Sequence, residues 1–191
     1  MAAGNHPMNR TLFVTIHMYL SAFFAAFVLL VAFSGGLYLV GVKGSVEKET
    51  VYEAGAGAAA LNAALKDADA LKSGVEALLL DAGVEAYEFE YVKVKGSTLY
   101  TRPTSRTHYV IGLGDGVTVT RAEPSLQAAM MELHMGHGPG IFKTFQKFFA
   151  LGMVFIILSG LWLGLSSARL RPRTLAAAGA GGLVFLLAVL F

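Results

Sequence analysis

The sequence predicts a membrane α-helical protein: three transmembrane helices, with a small α+β extracytoplasmic domain inserted between the first and the second. Three observations carry this. Of 191 residues, 55% are hydrophobic and only 15% charged, against roughly 25% charged in soluble domains. The apolar residues are gathered into blocks at 11–42, 148–167 and 174–191. All 13 acidic residues instead fall between Glu47 and Glu132, with eight Lys and Arg, so that segment carries −5 while the whole chain carries +2. No single surface is described by the net basic charge, which gives nucleic acid no support as a partner. The absence of cysteine rules out disulfides, thiolate metal sites, iron–sulfur clusters and covalently attached haem.

Residues 1–10 form a cytoplasmic tail ahead of the first transmembrane segment at 11–42. Its residues 18–40 are 23 positions without a charge, enough to cross ~30 Å of hydrocarbon at about 20 residues per crossing. A cleaved signal peptide is the competing reading. This run is longer than the ~7–15 residues of a signal core, and SGGLYLVG is a poor cleavage site. The segment is therefore an anchor.

Residues 43–124 form the extracytoplasmic domain. An alanine-rich stretch places Leu61, Leu65 and Ala68, then Val75, Leu78 and Leu79, at helical spacing. A division is expected near residues 72–74, and Gly83 is a natural stop. The period then changes to two: Tyr87, Phe89 and Tyr91 alternate with Glu88 and Glu90, as in a half-buried strand running into VKV. GSTLYTRP, THYVIGL and GVTVTRAE read as three more strands, with GLGDG as a tight turn. That pattern gives an antiparallel sheet with helices. GLGDG precedes no helix and no Lys-Ser/Thr, so it is not a phosphate cradle.

Residues 125–140 are a joint that begins as a helix, SLQAAMMELH, with Ser125 as N-cap. The second transmembrane segment is 141–167, where Lys143 and Lys147 can reach for headgroups. The loop at 168–173 carries Arg169, Arg171 and Arg173 without an acid. Short basic loops stay in the cytoplasm whereas long ones cross regardless of charge. The N-terminus is thus inside and residues 43–140 are periplasmic, in a bacterial inner membrane. The third segment, 174–191, is short for a crossing, and a hairpin returning partway is its alternative.

One internal similarity joins the first two spans. Ser34-Gly35 with Leu37, Tyr38 and Leu39 matches Ser159-Gly160 with Leu161, Trp162 and Leu163. Inverted repeats can build a symmetric membrane site. The plainer reading is that glycine recurs for helix packing and aromatics recur at interfaces.

Histidines are the candidate functional groups. His6 lies in the tail, and His108 reads as a surface or edge residue of a strand. His17 sits just inside the first span, where ionisable groups are costly and face a partner or a site. It is either an interfacial residue or an axial ligand of haem iron. His134 and His137, three apart and flanked by Met130, Met131 and Met135, are candidate cofactor or metal ligands suited to haem, zinc or copper. Glycines at 136, 138 and 140 make a flexible joint the alternative. His17 and His134 fall near opposite membrane faces, about 30 Å apart, so ligation by both requires two haems. No nucleophile–base pair or paired-carboxylate pattern is present.

These features resemble the PepSY-associated transmembrane proteins of bacterial inner membranes. The matching residues are His17 followed by SGGLYL, an α+β module, and Leu133-His134-Met135-Gly136 leading to LSGLWL, which together cover most of residues 10–167. The resemblance implies a PepSY-like periplasmic domain. Larger members look like haem-containing reductases that pass electrons to ferric siderophores, which makes His17 and His134 candidate haem b ligands. This chain departs from them in its three spans, one module and lack of a histidine in the last span.

Two functional readings follow. The first is an accessory subunit of an envelope or respiratory membrane assembly, with the bilayer and other membrane or periplasmic proteins as partners. Its support is the pair of small-residue motifs, Gly160 with Gly164 and Ala178 with Gly182, which let helices approach closely. The second is a haem b electron carrier that completes its sites as a homodimer, with two His17 residues at an inner haem and His134 with His137, or with the second copy's His134, at an outer one.

Overall fold

A computed structural model describes residues 10–55 and 58–191. His6 and the tail to residue 9 lie outside the described residues, as do Ala56 and Gly57 of the alanine-rich stretch. The chain divides into two compact units. One comprises the described residues to Phe27 with Lys147–Phe191; the other is Val28–Gln146.

The first unit is helical. It holds the first part of α1 (Arg10–Leu39), most of α5 (Gly140–Leu165) and α6 (Arg171–Leu190). All three helices are long and apolar enough to cross a bilayer. α6 reaches 20 residues by starting at Arg171, with Pro172 in its first turn. That is about 30 Å at 1.5 Å per residue, so the short apolar run at 175–191 is lengthened from the expected loop. Proline suits this position because its missing N–H would be unpaired there anyway. The expected loop at 168–173 thus shrinks to residues 166–170, and Arg171 Nε donates to the Leu165 carbonyl at 2.8 Å. α1 meets α5 through Phe24, which is buried, and Phe27; both rings pack on Phe149 at 5.5 and 4.7 Å. Gly152 makes room for the Phe24 ring, and Gly164 makes room for Thr174 of α6.

The second unit comprises the end of α1, the start of α5 and the α+β domain between them. Five strands form an antiparallel sheet in the order β1-β5-β4-β3-β2: β1 Val46–Ala54, β2 Tyr91–Lys95, β3 Thr98–Arg102, β4 His108–Leu113 and β5 Val117–Pro124. β1 departs from the sequence expectation, which places no strand there. Its VEKETVYEA run is charged on both faces, and it forms because it lies along β5 at the sheet edge, with a bulge at Thr50/Tyr52. α2 (Ala58–Ala64) and α3 (Ala68–Asp81) cover one face. Leu61, Leu71, Val75 and Leu79 pack there on Leu99, Ile111, Val117 and Val119.

The break between α2 and α3 falls at residues 65–67, ahead of the expected 72–74. Asp67 causes it, because its carboxylate accepts from the backbone N–H groups of Asp69 and Ala70 at 3.0 and 3.1 Å and starts α3. Gly74 lies inside α3 instead, where a Cβ would approach Leu61 Cδ2 to 2.9 Å. Gly83 ends the helix as expected, with φ +74°. Asp67→Ala is expected to cost the domain about 1 kcal/mol, read as a lower denaturant midpoint.

The strand expected over 87–94 is paired only from Tyr91. Tyr87 and Phe89 do turn to the core, but the phase changes after them: Val92 and Val94 face inward, and Tyr91 faces the other side. There its hydroxyl accepts from Lys143 Nζ at 2.9 Å, so this lysine, expected at the headgroups, is used within the unit. Glu90 accepts from the Gly140 N–H at 2.8 Å and so caps α5. α4 (Leu126–His134) follows Pro124 as expected. Ser125 stands at its N-cap position, yet its hydroxyl accepts from the Ser45 N–H at 2.9 Å and makes no side-chain cap bond.

Candidate functional site

His17 lies two turns into α1, in the first unit. Its Nδ1 is 2.9 Å from Ser159 Oγ of α5. The Ser159 hydroxyl donates to the Ile156 carbonyl at 3.1 Å, so its oxygen accepts from Nδ1–H. This bond selects the tautomer and leaves a lone pair on Nε2. The ring edge rests on the next residue: a Cβ on Gly160 would stand 3.2 Å from His17 Cε1. Ser159 is 4% exposed.

The second unit repeats the arrangement between α4 and the end of α1. His134, the last residue of α4, places Nδ1 3.1 Å from Ser34 Oγ of α1. Ser34 donates to the Val31 carbonyl at 3.3 Å, and so accepts from the imidazole and leaves Nε2 with its lone pair. A Cβ on Gly35 would stand 3.2 Å from His134 Cε1. Gln127 at the start of α4 donates to the Ser34 carbonyl at 3.0 Å, and Gln146 donates to the Leu133 carbonyl at 2.8 Å near its end, so both ends of the helix are tied. Gly44, at φ +77°, lets the chain pass against Ala128. The Ser-Gly recurrence in the two spans is therefore more than helix packing, since each copy holds one imidazole by the same two contacts.

His134 and His137 have different hydrogen-bond partners. α4 ends at His134, and Gly136 at φ +77° turns the chain. His137 instead places Nδ1 2.8 Å from Glu132 Oε2, and its carbonyl accepts from the Thr104 N–H at 3.2 Å. The Thr104 hydroxyl donates to the same Glu132 oxygen, and Arg102 Nη1 donates to Thr104 Oγ1 at 2.7 Å. Among the described residues no three His, Asp or Glu side chains gather as a metal site. As a cofactor ligand set, His17 and His134 each stand with a serine, and His137 stands apart with a carboxylate.

His108 departs from the expected surface position. It lies in β4, between β5 and β3, and is 6% exposed. Its Nδ1 is bound to the Arg106 carbonyl at 2.9 Å. Burial pushes its pKa below the ordinary 6.5, with Arg102 and Lys48 acting in the same direction and the Arg106 carbonyl and Glu132 opposing. The unfolded chain then binds a proton that the folded domain resists. Stability is full above pH 6.5 and falls as pH drops through the folded pKa. Acid melting below pH 6.5 is expected to be shallower in His108→Gln than in the parent chain.

Sequence did not foresee the two serines as partners. The signal was their repeated Ser-Gly context, but their histidines lie 142 and 100 residues away. Searches against protein-family models, curated proteins and solved structures give no match to this chain.

Proposed function

We propose that this chain is a PepSY-type protein of the bacterial inner membrane that binds haem b and carries electrons, with His17 and His134 as axial ligands of separate haems. The observation that carries the reading is the doubled His–Ser-Gly arrangement. Each imidazole is held by Nδ1–H on a serine and keeps a lone pair on Nε2. Ligating histidines are oriented in this way, by a hydrogen bond at the other ring nitrogen. The donor set therefore fits haem iron with one ligand per site from each chain. A second copy of the chain supplies the other, so the working form is a homodimer with one haem per chain. Haem b, when bound, supplies a one-electron centre at each site. The chain's own residues orient the imidazoles, and the glycines bring the rings close to the opposing helix. Electrons enter from an outside donor. The domain at 43–140 faces the periplasm, in keeping with the basic residues at the α5–α6 turn.

An accessory-subunit reading has one specific support. Gly160 and Gly164 are occupied within the chain by His17 and Thr174, but Gly182 on α6 has nothing within 4 Å and α6 buries no residue. That helix is available to another membrane protein. The two readings separate in one measurement. Full-length protein purified in mild detergent from haem-replete cells is expected to show a Soret band and a reduced-minus-oxidised haem b difference spectrum. No Soret band would reject the haem reading and leave the accessory one.

A further inference from the structure

The face of the sheet opposite α2 and α3 has its own chemistry. The pleat places Lys48, Lys93, Lys95 and Arg102 on this side, whereas Glu47 and Glu49 of β1 and Glu123 of β5 point to the other. The four cations line a cavity of about 510 Å³, bounded at one end by α4. One carboxylate, Glu132, joins the lining, and it already accepts from Thr104 and His137. Among the described residues, the three lysines make no ion pair. Arg102 is the more telling group. Its side chain is 12% exposed, its guanidinium makes one hydrogen bond, to Thr104, and a longer ion pair with Glu132 at 3.7 Å, and its buried Nε–H has no partner. A guanidinium has five N–H donors, and the one carboxylate near it is shared with Thr104 and His137, so most of its donors are left for a further anion.

We propose that this cavity is a binding site for a small polyanion, a ligand with two or more carboxylate or phosphate groups. Arg102 is the anchor at its inner end, and Lys93 and Lys95 neutralise the outer groups. The volume suits a ligand of a few carbons or two phosphates and is too small for a folded segment. The proposal does not rest on the haem reading. The same chemistry is offered by a free anion and by an acidic lipid headgroup.

The test uses full-length protein in nanodiscs of zwitterionic phosphatidylcholine, titrated calorimetrically with pyrophosphate and with citrate against ionic-strength-matched sodium chloride. Saturable binding of at least one of them, beyond the chloride control, is expected. Lys93→Gln/Lys95→Gln is expected to weaken it by about tenfold or more, as two charge-assisted contacts are lost. Both lysines are exposed, so the fold is kept and an unchanged melt verifies this. In phosphatidylglycerol nanodiscs, abolished binding marks a lipid headgroup as the natural occupant, and unchanged binding marks a free anion. The proposal is overturned by a lack of saturable binding in the zwitterionic discs, or by equal affinity in the parent and the double variant.

Discussion

Replacing His17 by alanine is expected to remove half of the bound haem while leaving the protein inserted and dimeric, and His134→Ala is expected to remove the other half. The physical reason is direct: an axial imidazole holds the iron, and a methyl group cannot. The two sites use separate serines, so each loss should leave the other site's spectrum intact. The measurement is the pyridine haemochrome content per chain, taken with the reduced-minus-oxidised spectrum. If the imidazoles only tie helices together, the same variants lose an interhelical hydrogen bond of about 0.6–2 kcal/mol. They would then melt slightly lower with unchanged absorbance, and the haem assignment would fail.

The second large effect is expected one bond further out. Ser159→Ala and Ser34→Ala keep both imidazoles but delete the acceptor of Nδ1–H, leaving the ring free to turn or change tautomer. Losing such an orienting partner costs about 10–100-fold in affinity at metal sites. Each variant should therefore bind haem more weakly at one site and shift that site's reduction potential. A purely structural serine would change the melt and leave the potential of the retained haem where it was. Redox titration of the two single variants decides between these outcomes, because only a positioning serine would act on the haem through its histidine.

Burial explains which elements could be read from the chain. The three spans follow from continuous apolar runs, a property of composition that needs no partner. β3, β4 and β5 follow from period-two patterns, because one side of each faces the core. β1 has no such pattern. It is an edge strand held by β5, and its charges mark only which face each residue takes. The helix breaks at Asp67 through a local cap, whereas Gly74 carries the stronger stop signal in the sequence. His108 looked like a surface residue because a histidine in a strand run does not reveal that its strand is central.

By itself the sequence determined the class of the protein: three apolar helices and one acidic α+β insert, with His17, His134 and His137 as its candidate ligands. Length, hydropathy and residue type are local quantities, so they survive without knowledge of contacts. Which groups each histidine touches came from the tertiary structure alone. It set His17 on Ser159, His134 on Ser34 and His137 on Glu132, and buried His108 in the sheet. The reason is that a hydrogen bond selects a tautomer only when donor and acceptor meet within about 3 Å. Residues 100 and 142 positions apart meet only once the helices have packed.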